Sequence, residues 1–329
     1  SLVGSEMCIR DRSQALKGMR DLLPAEQTLR DYIQGKILET YRASGFERIS
    51  TPMLEDMENL DKSDGGDNLN LIFKVLKRGD KLTAALNTGD PKQLSDMGLR
   101  YDLTLPLSRY YAANKDKLPS PFKVIQTDRV YRAERPQKGR QRQFNQVGVE
   151  CLGAEEPTID AEAIIMLMRF YEKVGIPRDS MRLLLNSMGC EQCRPAYREL
   201  VRAYMDEHAD ELCDTCMTRA EVNPLRAFDC KNPQCAAIMA DAPKITDHLC
   251  DECREHYDAV KALLDGAGVV YEEDYKLVRG LDYYTRTVFE VQVDNGMGAQ
   301  NAIGGGGRYD KLAKEVGGRD TPGLGFALG

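Results

Sequence analysis

The residues from Arg129 to Glu150, RVYRAERPQKGRQRQFNQVGVE, carry a dense cluster of positive charge. The basic side chains of this stretch are Arg129, Arg132, Arg135, Lys138, Arg140 and Arg142. The chain as a whole is acidic, with a formal net charge of -7. Because guanidinium groups match phosphate and carboxylate oxygens in a two-pronged geometry, the cluster predicts a local site for an anion.

Polar and acidic residues accompany this cluster in a pattern that suits a second, smaller ligand. Gln146 and Glu150 lie four positions apart, so on a strand they share one face. Arg100, Asp102 and Thr104 alternate in the same way. Any one such set is more often an ordinary strand with solvated polar residues. Together with the tyrosine-rich segments RGLDYYT (279–285) and GGGGRYD (304–310), they favour a small zwitterion beside a polyphosphate.

The elements that must position these groups follow from periodicity and turn residues. Pro136 to Gly139 is turn-prone and separates two extended runs, which predicts two strands joined by a loop. Apolar positions at helical spacing predict helices over 25–43 and 160–174. Further strands are expected over 69–76, 99–105, 122–133, 142–152, 182–186 and 288–293. We infer an α+β domain.

Closely spaced cysteine pairs interrupt this pattern after Gly189. They are Cys190 and Cys193, Cys213 and Cys216, Cys230 and Cys235, and Cys250 and Cys253. Two such pairs complete a tetrahedral thiolate site, so the segment predicts structural zinc. Pairing of the first pair with the second and the third with the fourth is favoured over an interleaved arrangement, because short loops cost less entropy to close. His256 could replace one cysteine, and a metal-free insertion packed by thiols is the alternative.

Composition sets the class of protein. Of the 329 residues, 42% are hydrophobic and 29% are charged, which is typical of globular proteins. No apolar run approaches the ~20 residues that span a bilayer, and no apolar stretch follows a basic start, so we expect a cytoplasmic protein without a membrane partner. We divide the chain into a non-native or disordered leader (1–12), a first core part (13–188), the cysteine-rich insertion (189–265) and a second core part (266–329).

Several of these segments resemble one enzyme family. The stretch from Arg129 to Glu150 resembles motif 2 of the class II aminoacyl-tRNA synthetases. LVRGLDYYTRTVFEV and GGGGRYD resemble the two histidine-specific signatures of the histidyl-tRNA synthetases, and GMRDLLP (18–24) resembles their opening segment. The unit of a helix, a strand and Pro52 is similar to motif 1, which forms the dimer interface.

The resemblance implies a histidine–tRNA ligase, an enzyme that activates histidine with ATP and transfers it to tRNA(His). The fold that it implies is the class II antiparallel sheet flanked by helices. It implies that Arg132 and Arg279 neutralise the α-phosphate, that Glu134 and Arg140 bind ATP, and that Arg135 and Gln137 meet the tRNA acceptor end. It implies a histidine site made of Asp102, Thr104, Gln146, Glu150, Tyr283, Tyr284 and Tyr309. Asp102 departs from many relatives, which carry the longer glutamate. Mg²⁺ is expected on the leaving phosphates, and a homodimer through motif 1.

Two further expectations come from the resemblance. The alternative interpretation is a non-catalytic relative that regulates ATP phosphoribosyltransferase, since those relatives share the fold. A third possibility, a zinc-dependent nucleic-acid module, would account for the insertion alone. The family's motif 3 arginine and anticodon-binding domain lie beyond Gly329, so we expect impaired activation by the 329-residue chain.

Overall fold

The computed structural model describes residues 14–62, 70–278, 283–293 and 301–329. The leader expected over 1–12 and the predicted phosphate ligand Arg279 lie outside these residues. The described strands are β1 (Glu47–Arg48), β2 (Leu54–Asp56), β3 (Lys74–Leu76), β4 (Ser95–Leu99), β5 (Phe122–Tyr131), β6 (Gln143–Leu152), β7 (Met181–Ser187), β8 (Glu272–Glu273), β9 (Thr285–Val293), β10 (Ala302–Arg308) and β11 (Gly323–Leu328).

Helices account for nearly half of the remaining described residues. They are α1 (Pro24–Arg42), α2 (Met57–Lys62), α3 (Asp80–Thr88), α4 (Thr104–Asn114), α5 (Pro157–Lys173), α6 (Cys193–Glu207), α7 (Asp214–Val222), α8 (Pro233–Ile238), α9 (Asp251–Gly266) and α10 (Leu312–Glu315). Both α1 and α5 begin with a proline in the first turn, where its missing N–H costs nothing. The predicted helices over 25–43 and 160–174 are therefore confirmed.

One large sheet forms the centre of the fold. Within the described residues its strand order is β1-β5-β6-β11-β10-β9-β7-β8. In this order, every neighbouring pair between β5 and β7 is antiparallel, whereas the edge pairs β1–β5 and β7–β8 are parallel. The sheet is therefore mixed rather than purely antiparallel. Helix α5 packs on this sheet through buried apolar side chains that include Ile164 and Leu167.

The long hairpin of β5 and β6 confirms the strands predicted on either side of the basic loop. Its register pairs Phe122 with Leu152 and Tyr131 with Gln143. At the tip, Gln137 and Arg140 form a bridge across Lys138 and Gly139. The hairpin thus presents the basic loop at one end of the sheet and a buried polar row along β6.

The strand predicted over 99–105 is wrong except at Leu99. Strand β4 ends at Leu99, in a small sheet of order β2-β4-β3, and α4 begins at Thr104. Alternation therefore does not place Arg100, Asp102 and Thr104 on one strand face. Asp102 instead lies just before α4, where its carboxylate accepts a hydrogen bond from the Leu105 N–H at 3.3 Å.

The cysteine-rich segment is a helical unit, made of α6 to α9, between β7 and β8. Helix α9 packs against α5, so the end of this segment returns to the core. No helix among the residues described has both the length and the apolar character needed to cross a bilayer.

Candidate active site

Glu150 lies at the centre of a buried polar pocket. Its carboxylate accepts hydrogen bonds from the Thr104 hydroxyl at 2.8 Å and from the Tyr309 hydroxyl. The side chain is buried, and burial raises its pKa to about 8, while these two hydrogen bonds oppose that rise. Gly325 on the paired strand β11 is required here, because a Cβ at this position would overlap the Glu150 carboxylate.

Asp102 is the second carboxylate of this pocket. It is buried, and the Tyr283 hydroxyl donates to it at 3.5 Å. Burial raises its pKa to about 6, against the opposing effects of the Leu105 N–H and the positive charge of Arg132. The negative charge of Asp102 also contributes to the raised pKa of Glu150, so the two carboxylates are electrostatically coupled.

Tyrosine rings close the pocket. Tyr283 lies 4.8 Å from Tyr284 and 5.9 Å from Tyr309, measured between ring centroids. All three are buried, and burial raises the pKa of Tyr283 and Tyr309 well above the ordinary value, so their hydroxyls act as hydrogen-bond donors. The structure therefore brings together six of the predicted histidine-site residues through direct contacts: Asp102, Thr104, Glu150, Tyr283, Tyr284 and Tyr309.

Gln146 supplies an unpaired acceptor on the same strand. It is 6% exposed, and its Oε1 has no hydrogen-bond partner in the described part of the chain. Gln146 shares the β6 face of Glu150, as its four-residue spacing predicted. A buried unsatisfied polar atom costs about 1–3 kcal/mol, which a bound donor would recover.

The basic residues of the hairpin are divided between its base and its tip. At the base, Arg132 donates from Nε to the Tyr101 carbonyl at 3.1 Å and lies over the Phe144 ring at 5.1 Å. These contacts fix the half-buried guanidinium near the pocket carboxylates, and its charge affects the pKa of Asp102. Glu134 and Arg140 form an ion pair at 3.1 Å along the loop.

Arg135 and Gln137 are exposed at the end of the hairpin. Neither contacts the buried pocket in the described structure, so the predicted loop residues are separated from the predicted histidine site. This arrangement leaves the hairpin end free to meet a large ligand outside the pocket.

The cysteines form two sets, and their pairing differs from the favoured prediction. One set, the outer cluster, comprises Cys190, Cys193, Cys250 and Cys253, and the other, the inner cluster, comprises Cys213, Cys216, Cys230 and Cys235. The first pair therefore joins the fourth, and the second joins the third. Sequential pairing is wrong because β7 and α9 pack into one core and bring the two ends of the segment together. Loop length opposes this only weakly, since each doubling adds about 0.6 kcal/mol.

The sulfur spacing fits a metal. Sulfurs of the outer cluster lie 3.7, 3.8 and 3.9 Å apart, and Cys213 lies 3.9 Å from Cys230. Four thiolates at the zinc–sulfur distance of about 2.3 Å would be about 3.8 Å apart in a tetrahedron. Backbone amides also donate to sulfur, from Cys190 to Cys193 at 3.0 Å and from Cys213 to Cys235 at 3.3 Å. Both clusters therefore suit a closed tetrahedral ion.

His256 does not join either cluster. Its Nε2 lies 2.7 Å from the Asp160 carboxylate, which is also bound by the fully buried Arg308. Sequence reasoning missed this network because His256 and Arg308 lie 96 and 148 positions from Asp160 along the chain, and only the packing of α5, α9 and β10 brings the three together. Asp160 and Arg308 both have no exposed side-chain surface, so they hold α5 and β10 together rather than meeting substrate.

Comparison with known proteins identifies the family. A family model described as histidyl-tRNA synthetase matches residues 18–329. The chain is 41% identical over 318 residues to the histidine–tRNA ligase of Desulforamulus reducens, covering 95% of this chain and 72% of that protein. It is 39% identical over 316 residues to that of Oleidesulfovibrio alaskensis, covering 95% and 72%.

Solved structures agree with this assignment. Apo histidyl-tRNA synthetase from S. aureus superimposes with a TM-score of 0.73 at 30% identity, covering 96% of this chain and 71% of that chain. A Bacillus halodurans protein described as an ATP phosphoribosyltransferase regulatory subunit/histidyl-tRNA synthetase gives a TM-score of 0.65 at 22% identity, covering 96% and 80%, and shows the fold alone. From the family model, the curated relatives and the shared fold, we conclude that the chain belongs to the histidyl-tRNA synthetase family.

Proposed function

We propose that this chain activates histidine with ATP and transfers it to the 3′ end of tRNA(His). The observation that carries the proposal is the buried pocket in which two carboxylates with different pKa values face tyrosine hydroxyls and an unpaired glutamine oxygen. Such a pocket suits a ligand with a cationic amino group and a polar ring. Histidine has both groups, and the family's relatives are histidine–tRNA ligases.

The different pKa values of the two carboxylates suit them to different groups of histidine. Asp102, with a pKa of about 6, is ionised at neutral pH and suits the ammonium group. Glu150, with a pKa of about 8, holds a proton at neutral pH and suits the neutral imidazole, with which it can share that proton. Gln146 Oε1 then accepts from an N–H of the ligand, which relieves its unpaired state.

ATP binds, in this proposal, along the base of the β5–β6 hairpin. Arg132 meets the α-phosphate from its fixed position over Phe144, with Arg279 as the second cation that the family resemblance implies. Glu134 and Arg140 reach the adenine and the triphosphate. Mg²⁺, when bound, would neutralise the leaving phosphates. The residues of this chain align the histidine carboxylate with the α-phosphorus, so that two anions approach in a neutralised site.

Transfer requires the tRNA end to reach the adenylate. Arg135 and Gln137, exposed at the hairpin end, are placed for contact with the acceptor strand outside the pocket. We also propose that each cysteine cluster holds one structural Zn²⁺, which fits the sulfur spacing and leaves no open position for water.

A homodimer through motif 1 is supported by exposed apolar surface. Leu29 on α1 is 61% exposed, and Ile33 is 37% exposed, although both lie on the apolar face that the helical spacing predicts. Size-exclusion chromatography with light scattering tests the dimer. Leu29→Glu should shift it towards monomer, whereas Leu86→Glu, on the exposed surface of α3, serves as the matched control.

The alternative is a non-catalytic relative that regulates ATP phosphoribosyltransferase. The chain keeps Arg132, Arg140, Tyr283 and Tyr284, which those relatives tend to lose, and this favours the synthetase. Isothermal titration with histidine and histidine-dependent ATP–pyrophosphate exchange decide between the two. Histidine binding that is lost in Glu150→Gln, or histidine-dependent exchange, supports the synthetase, whereas a folded chain that binds no histidine supports the regulator.

A further inference from the structure

The outer cysteine cluster lies next to the tyrosine segment of the proposed histidine pocket. Met188 donates from its N–H to the Arg286 carbonyl at 2.6 Å, and Arg286 donates back to the Gly189 carbonyl at 2.8 Å. Cys190, the first ligand of the outer cluster, follows directly. Only Thr285 lies between Arg286 and Tyr284, so the cluster and the pocket share one piece of backbone.

Arg194 makes a second connection. It follows Cys193 on α6, and its guanidinium donates to the carbonyls of Tyr284 and of Met188, the latter at 3.2 Å. Its own N–H donates to the Cys190 carbonyl at 3.0 Å. The Arg194 side chain thus connects the cluster to the tyrosine pair. Its planar guanidinium has several N–H groups and can donate to the Tyr284 and Met188 carbonyls at the same time.

The backbone at this junction is strained in a way that needs support. Arg286 has a φ of 47°, a left-handed conformation that costs a non-glycine residue about 1 kcal/mol or more. Gly189, with a φ of 64°, has no room for a side chain, because a Cβ would lie 2.6 Å from the Cys193 sulfur. Such a conformation persists where the surroundings fix it, and here the surroundings are the outer cluster and its two flanking helices.

We propose that a metal ion in the outer cluster positions Tyr283 and Tyr284 through Arg194 and the Gly189 turn, so that histidine affinity depends on the outer site and not on the inner one. Arg194 is a positioning residue in this scheme. The inference rests on the proposed histidine pocket and goes beyond it, because it assigns the two clusters different tasks. Among the described residues, the ligands of the inner cluster lie at α7, at α8 and after the turn between them.

The experiment compares matched double variants of the intact chain, reconstituted with Zn²⁺. C190S/C193S removes two ligands of the outer cluster, and C213S/C216S removes two of the inner cluster. Isothermal titration gives the histidine Kd, and hydrogen–deuterium exchange of peptides covering 186–189 and 283–288 reports the shared backbone. We expect the outer variant to raise the Kd by about tenfold or more and to increase exchange in both peptides, with both values unchanged in the inner variant.

Arg194→Gln keeps all cysteine ligands and tests the connection if the outer variant fails to fold. It should also raise the Kd by about tenfold while the zinc content stays at the wild-type value, and Arg194→Lys should recover only part of the loss. Arg202→Gln, two turns further along α6, is the control, because its guanidinium donates to a different backbone carbonyl, that of Ala220, at 3.0 Å. Equal effects of the two cluster variants on the histidine Kd and on exchange would overturn the inference. So would a histidine Kd and an exchange rate that stay at wild-type values in both Arg194→Gln and the outer variant. A wild-type chain that binds no histidine would instead remove the proposed function, while exchange still decides whether the cluster holds the tyrosine segment.

Discussion

Glu150→Gln should stabilise the protein at alkaline pH while it abolishes the proposed histidine binding. The Glu150 carboxyl is buried, and its pKa rises from the ordinary 4.5 to about 8. The folded protein therefore holds a proton that the unfolded chain has released between these two values. Glutamine resembles the protonated carboxyl in shape: its one oxygen accepts from one of the Thr104 and Tyr309 hydroxyls and its NH2 donates to the other, and it never takes a negative charge.

The sign and size of this pH effect on stability follow from the difference in proton binding between the folded and unfolded states. Because the pKa of Glu150 is raised in the folded state, the contribution of this group to the free energy of unfolding is highest below pH 4.5. That contribution falls as pH rises and levels off above about pH 8. Each pH unit in this window is worth about 1.36 kcal/mol, so the wild type loses about 4 kcal/mol from this group between pH 5 and 8. Glu150→Gln has no such loss. The contributions of the other titrating groups are the same in both proteins, so they cancel when the two free energies of unfolding are subtracted.

Urea unfolding followed by far-ultraviolet circular dichroism at pH 5.5, 7 and 8.5 measures this difference. The free energy of unfolding of Glu150→Gln minus that of the wild type should increase steadily across the series, and the exposed Glu155→Gln should give a flat line. A difference that does not change with pH would refute the raised pKa of Glu150. Histidine affinity equal to the wild type in this variant would refute its assignment to the imidazole.

Three further predictions concern other parts of the structure. Below pH 6 the histidine Kd should rise more steeply with falling pH in the wild type than in Asp102→Asn, because protonation of Asp102 removes the partner of the ammonium group, whereas protonation of the ligand's imidazole affects both proteins; titration calorimetry checks this. Arg308→Met should lower the free energy of unfolding by about 3–5 kcal/mol in urea, because it leaves Asp160 buried and short of a counter-charge. Elemental analysis should find two zinc ions per chain, and one in C213S/C216S.

Each of these predictions has an outcome that contradicts it. An equal pH dependence of the histidine Kd in the wild type and in Asp102→Asn would exclude Asp102 as the ammonium ligand. A loss in Arg308→Met no larger than that of the exposed Arg178→Met would mean that the buried pair adds little. Loss of both zinc ions in C213S/C216S would mean that the two sites do not bind metal independently.

The local chemistry of the site was readable from the sequence. The β5–β6 hairpin, its basic loop and the shared face of Gln146 and Glu150 follow from alternation and turn residues, which act over a few positions. The resemblance to histidyl-tRNA synthetases then placed Tyr283 and Tyr309 in the same site. The strand predicted over 99–105 failed because α4 starts at Thr104, and short polar–apolar alternation does not separate a strand from a helix start.

Partnerships between distant segments needed the tertiary structure. The sequence by itself determined which residue types could bind an anion, a zwitterion and zinc, because these depend on side-chain chemistry and local spacing. The fold alone decided that Cys190 faces Cys250, that Arg308 pairs with Asp160, and that two carboxylates lie buried in one pocket, where burial raises the pKa of each. Pairing over such sequence distances depends on how β7, α5 and α9 pack, and packing is a property of the whole core rather than of any one segment.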